Sequence, residues 1–265
     1  MLLGMQLSVR HSLPLTWRSP TRRLLALPKV MGRFSAVGLT ALLALALVAG
    51  PAAAAPVTAP SVLKVAKTAI GTQTSVHVDF AATSKKSKVT ERITADVGAT
   101  GGAELVTEGK STLAIKVTPT AGYVSGNATG LTQLYGLTAA QAKKLGTHWV
   151  TFKASTSQYA TLKSDVSFSS VLALLPKPKG TKVKTRTANG TTQYVLSWTT
   201  AASSSNPKLS NSLTVAAGGT NLPLEETETD STGVKVTTTL SKWGESVRVG
   251  APAPASTIDS SQITG

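Results

Sequence analysis

The chain of 265 residues contains no cysteine. That excludes disulfide staples, and it removes the thiol that would be acylated behind an export signal, so no lipid anchor of the usual bacterial kind is expected. Catalytic residue types are scarce too. Only three histidines are present, and two of them, His77 and His148, lie beyond the amino-terminal segment. No nucleophile elbow occurs, because "GYVSG" at Gly122 to Gly126 has the wrong spacing. No phosphate-cradling loop occurs, because "GATGG" at Gly98 to Gly102 lacks a following Lys-Ser/Thr pair and a helix. Only 12 acidic residues are present, and closely paired carboxylates appear only in "EETETD", Glu225 to Asp230. Their alternation with threonine reads as the outer face of a strand. His77-x-Asp79 sets both side chains on one strand face, which could begin a metal site or a base–orienter pair. The plainer reading is two solvated residues opposite an apolar face. His148, just before Trp149, reads as a turn-closing polar residue. With no nucleophile–base pair to name, neither an enzyme, a metal site nor a cofactor is expected.

What is present begins with an export signal. Arg33 precedes an apolar run from Ala36 to Ala49, and "PAAAAP" at Pro51 to Pro56 follows. A positive region, an apolar region and small residues at the cut form the order of a secretory signal, and the run is short of the roughly 20 residues a spanning helix needs. Arg22 and Arg23 fit a twin-arginine signal, while Met31 would serve equally as the start of an ordinary one. Residues 1–55 are therefore set apart from the fold, and an extracytoplasmic location is expected. Six of the 27 basic residues and none of the acidic ones lie in that segment, which leaves 210 residues with a net charge of +9. A chain of that length can bury a core without staples and reads as one domain.

The remaining sequence is built of short alternating runs separated by Gly, Asn, Pro and Ser, the pattern of antiparallel strands with one wet and one buried face. "SVHVDF" sets Val76, Val78 and Phe80 on one side. "VTERITADV" sets Val89, Ile93 and Val97 together, with Glu91 and Ala95 at imperfect positions. "LAIKV" alternates Leu113, Ile115 and Val117. Asn189-Gly190 is a hairpin turn leading into "QYVLSW", and "SLTV", "LPLEETET" and "VKVTTTL" supply further strands. Short helices are expected over Ser61 to Ile70, over Ala128 to Tyr135, from Thr138 to Gly146, and across "SDVSFSSVLALLP" before Pro176. Too short to form a core alone, they must lie on the concave face of the sheet.

The densest basic run is "KPKGTKVKTR", with Lys177, Lys179, Lys182, Lys184 and Arg186. It could meet an anionic membrane surface transiently, at about 1 kcal/mol per basic residue. Alternatively it is a solvated strand whose lysines discourage edge-to-edge pairing. No aromatics interleave the cations, so nucleic acid is not an expected partner.

Taken in order, "SVHVDF", "GYVSGN", "LGTHWVTF", "SVLALLP", "NLPLEET" and "LSKWGESVRVGAP" resemble the LppX/LprG-type actinobacterial lipoproteins, relatives of the LolA/LolB carriers. The resemblance runs from about Ala59 to Ile258 and departs from the family in having alanines where a lipobox cysteine would stand. It implies an α+β fold: a strongly curved antiparallel half-barrel sheet wrapped around short helices, with an apolar cavity for acyl chains. The cavity lining it implies comprises Val76, Val78, Phe80, Ile93, Leu113 and Ile115 from strands. Leu131, Leu134, Phe168, Val171, Leu172 and Leu175 would come from helices. The domain would span 56–258, followed by a disordered tail at 259–265. The last long strand would end at Trp243, and Gly244 would let the edge turn before a resumed run through Val247 and Val249.

Three functions follow from this reading. The first is a secreted, non-enzymatic, monomeric carrier or sensor of a lipid or glycolipid ligand in the cell envelope. The second is a structural or adhesive envelope module of the same fold with a filled core. A hydrolase with a dispersed site is the least supported.

Overall fold

The computed structural model describes residues 56–84, 90–169, 171, 175–202 and 207–263. The export segment at 1–55 and the candidate residue Leu172 lie outside the described residues. Helix α1 (Ala59–Gly71) opens the fold. Thr58 and Ser61 form a reciprocal capping box and Pro60 sits in the first turn, so the helix starts two residues earlier than its apolar stripe alone predicts.

Strand β1 (Ser75–Ser84) is the centre of an open twelve-stranded sheet. From it a meander runs outward through β2 (Thr90–Gly98), β3 (Gly102–Glu108), β4 (Ser111–Val117), β5 (Ala121–Gly126) and β6 (Trp149–Lys153). Between β5 and β6 lie α2 (Ala128–Gln133) and α3 (Ala139–Leu145), the latter bounded by Thr138 and Gly146 as the sequence predicts. After α4 (Ser157–Asp165) the chain moves to the far edge. There a second meander begins at β7 (Lys182–Ala188) and returns through β8 (Thr191–Thr200), β9 (Leu209–Ala216) and β10 (Pro223–Asp230). It closes with β11 (Val234–Ser241), hydrogen-bonded to the other side of β1. Asn189 and Gly190 both take positive φ between β7 and β8, as a two-residue hairpin turn requires.

Helices α1, α2 and α4 share one face of this sheet. Close approach there depends on glycine. A Cβ on Gly130 would lie 1.9 Å from the carbonyl oxygen of Thr112, so α2 can reach β4 only with a bare Cα at that position. Helix α4 seats Leu162 over Gly122, and the Tyr159 hydroxyl donates to the carbonyl oxygen of Thr118 at 2.9 Å.

The structure departs from the sequence reading in three places. Helix α4, which ends at Asp165, is not expected from the sequence. Of the helix expected across 164–176, Ser167 bridges to Gly98, Phe168, Ser169 and Val171 take a 3-10 conformation, and residues 170 and 172–174 lie outside the described residues. The thin apolar content of α4, buried only at Tyr159 and Leu162, hid it from periodicity. The strand expected at Val247 to Val249 is an irregular crossing. Lys242 and Gly244, both at positive φ, turn the chain out of β11. Residues 245–250 then pass over the outer face, with Val247 against Gly98. Ordered structure continues beyond Ile258: a 3-10 turn (Pro254–Ser256) leads into β12 (Thr257–Asp259), which pairs parallel to β6, and Ile263 is buried in the core. Every other strand pair is antiparallel.

Candidate functional site

The strand registers order the helix-bearing face into rows. One row reads Leu196, Leu213, Glu226, Thr238, Phe80, Ile93, Val106, Leu113 and Gly126 from β8 across to β5. The next contains Leu240, Val78, Ala95, Glu104, Ile115, Val124 and Val150. Alternation therefore delivers the predicted strand residues to one face.

Their packing is divided among three apolar clusters. Ile93, Leu113, Ile115, Leu131 and Leu134 belong to the first, under α2, α3 and α4, with half-buried Phe80 against it. The second joins α1 to Leu196, Leu213 and Val215, with Leu175 at its margin. Val76, Val78 and Val171 form the third with Val97 and Leu240, and Phe168 and Trp243 pack on it. Phe168 meets the Trp243 ring edge-on at 6.3 Å. The predicted lining residues among those described thus divide between three clusters and do not form one contiguous patch.

Sequence reasoning missed the polar members of this face. It assigned the carboxylates of "EETETD" to the outside, but β10 turns Glu226 and Glu228 inward. Glu226 is 7% exposed, and burial, followed by the charge of Glu228, pushes its carboxyl up to about 8. Among the described residues no hydrogen bond reaches the Glu226 carboxyl. Asn211 stands opposite Glu228 on β9 and is 5% exposed. Its amide nitrogen donates to Thr200 Oγ1 at 3.1 Å, while its Oδ1 is buried without a partner. Glu91 and Glu104 are buried on the same face. Parity gave no signal, because the register shifts between Pro223, which pairs with Val215, and Glu225, so that Glu226 pairs with Leu213.

Polar side-chain pairs link β1 to β2 on the outer face. His77 Nδ1 lies 2.7 Å from Asp96, and Arg92 grips Asp79 through two nitrogens at 2.5 and 3.2 Å. His77 and Asp79 therefore each serve a partner on β2 and do not form a dyad with one another. His148 closes the turn after α3 through the Leu145 carbonyl at 3.1 Å. A cleft of about 380 Å³ lies between this face and the crossing segment, lined by His77, Asp96, Lys116, Lys242, Glu245 and Arg248 among others. Of the predicted lining residues among those described, only Val76 borders it. Lys177, Lys179, Lys182, Lys184 and Arg186 are exposed, the last three on edge strand β7. Arg186 also donates to Gln193 at 2.9 Å and to Thr214 at 3.4 Å. Among the described residues no three metal-ligating side chains cluster, and no helix is long and apolar enough to cross a membrane.

No protein-family model and no curated protein matches the sequence. Solved structures similar to it include the lipoprotein LppX of Mycobacterium tuberculosis, at 17% identity and a TM-score of 0.44, covering 72% of this chain and 99% of that one. LprF of Mycobacterium bovis is similar at 15% identity and a TM-score of 0.47, covering 74% and 97%. MucB, solved in complex with MucA, is similar at 16% identity and a TM-score of 0.32, covering 78% and 59%. LppX is also a namesake of the group that the sequence motifs resemble.

Proposed function

We propose that the protein is an exported, non-enzymatic carrier or sensor of acylated molecules, which holds acyl chains against the helix-bearing face of its sheet. The observation that carries this reading is the division of that face into three apolar clusters. Half-buried Phe80, Phe168 and Leu175 stand at the cluster margins. Burying one CH₂ contributes about 0.8 kcal/mol, so a chain of about 16 carbons could gain on the order of 12 kcal/mol before ordering costs. Shape and dryness supply that affinity, and a site spread over a wall requires no catalytic motif. In this reading the lining comprises the predicted residues of the three clusters.

The test is mass spectrometry of organic extracts from protein purified from its native host. A recurrent acylated species at a fixed ratio to protein supports the proposal, and repeatedly empty protein overturns it. A second reading, an envelope module with a filled core, is favoured by the exposed cations of edge strand β7. It predicts that reversing Lys182 and Lys184 abolishes retention at the envelope and leaves extractable lipid unchanged.

A further inference from the structure

The run Val247 to Val249 alternates as a strand does, yet the sheet gives it no neighbour. Val247 and Val249 are half-buried, while Ser246, Arg248 and Gly250 between and beside them are exposed. None of the backbone N–H and C=O groups of residues 246–250 has a hydrogen-bonding partner among the described residues. A row of such groups is a template for another strand. The segment is nevertheless pinned at its near end. The Gly244 N–H donates to the Ser75 carbonyl oxygen at 3.0 Å, the Ser75 hydroxyl donates to the Glu245 carbonyl oxygen, and Val247 rests against Gly98.

Beside this segment lies the outer cleft of about 380 Å³. Its floor is one cross-strand row, His77, Asp96, Ala103 and Lys116, paired in that order across β1, β2, β3 and β4. Three strand spacings of about 4.8 Å make the row roughly 14 Å long, room for about four extended residues. Two of its charges are engaged: Asp96 meets His77 at 2.7 Å, and the Lys116 ammonium lies 5.0 Å from the centre of the Trp149 ring. Lys242 and Arg248, on the wall, are exposed, and among the described residues no carboxylate lies within ion-pair distance of either. Glu245 sets one carboxylate against these two cations. Lys242 also holds φ at +50°, a conformation glycine adopts with less strain, so what the position retains is the ammonium.

We propose that residues 246–250 are an unpaired strand onto which an extended acidic peptide adds, lying along the floor of the outer cleft. Main-chain hydrogen bonds to the crossing segment supply the pairing. Residues paired across two strands share a face, so a carboxylate opposite Arg248 points outward with it, and the peptide's alternate, small side chains meet the floor at Ala103. The site lies on the face opposite the helices, so it neither requires nor excludes the acyl-carrier reading.

The probe is a blocked, fluorescent peptide of alternating threonine and glutamate. Its anisotropy should rise on titration with the protein, and the backbone amides of 246–250 should exchange with solvent more slowly in its presence. Arg248→Gln in the protein, or glutamine for glutamate in the peptide, should weaken binding about fivefold, the upper range for an exposed ion pair. Methylating the peptide's backbone nitrogens keeps its charges and removes its main-chain donors, and should abolish binding. Lys208→Gln removes the same charge from an exposed position outside the cleft and should leave affinity unchanged. Circular dichroism confirms that both variants are folded. Absence of binding, equal affinity for the methylated peptide, or exchange slowed along the open edge of β7 in place of 246–250 would overturn the proposal.

Discussion

The indole N–H of Trp243 donates to the carbonyl oxygen of Pro223 at 3.0 Å. This bond ties the end of β11 to the start of β10 at the point where the chain leaves the sheet. Trp243→Phe keeps the ring against Phe168 but loses the bond, and should lower unfolding free energy by about 1 kcal/mol. Trp243→Ala also loses the edge-on contact and the packing against the third cluster, and should cost about 3 kcal/mol. Urea denaturation followed by circular dichroism measures both.

Gly130 admits no side chain. Its Cβ would overlap the Thr112 carbonyl oxygen, a backbone atom that cannot swing aside. Gly130→Ala should therefore displace α2 and destabilise the fold by about 1–3 kcal/mol, against the gain alanine normally brings to a helix. Gly71→Ala, where a Cβ meets nothing within 4 Å, is the control and should be neutral or stabilising. Thermal melts of the two variants should move in opposite directions.

Glu226 makes stability depend on pH. Its carboxyl titrates near 8 in the fold against an ordinary value of 4.5, because burial disfavours the charge. The stability it contributes is fully present below pH 4.5 and is lost as pH rises through about 8. The loss is on the order of 5 kcal/mol at most, since one pKa unit corresponds to about 1.4 kcal/mol. Wild-type protein should melt at progressively lower temperature from pH 5 to pH 9, and Glu226→Gln should flatten that slope. Equal slopes in the two proteins would remove the assignment.

The strands were readable because a period of two survives in short runs such as "LAIKV", and the caps Thr138 and Gly146 because their chemistry is local. Helix α4 was not readable, since "SQYATLKSD" has no apolar stripe and is placed by Leu162 meeting Gly122 across a long separation in sequence. The inward turn of Glu226 was concealed for a different reason. A carboxylate among threonines looks wet, and the register irregularity between Pro223 and Glu225 resets which β10 residues face inward. The tail illustrates the same limit. β12 has three residues and gains its pairing only after a crossing of the whole β1-to-β5 half of the sheet, which no local pattern encodes.

That crossing is also a brace. Ile263, buried in the first cluster, anchors its far end. Ile263→Ala should cost roughly 2–4 kcal/mol and speed hydrogen exchange in β12 and β6 before it affects β8 and β9. Uniform acceleration across the sheet would show that the tail and the rest unfold as one unit.

The most direct test of the central claim is where a hydrocarbon chain lies on this protein. A photoactivatable fatty acid with a diazirine in its chain, crosslinked to the protein and mapped by peptide mass spectrometry, should label Val78, Phe80, Ile93 and Leu113 on the helix-bearing face. Leu105, 46% exposed on the other face of β3, should stay unlabelled. Crosslinks confined to Leu105 or to the charged outer cleft, with none on the helix-bearing face, would contradict the account.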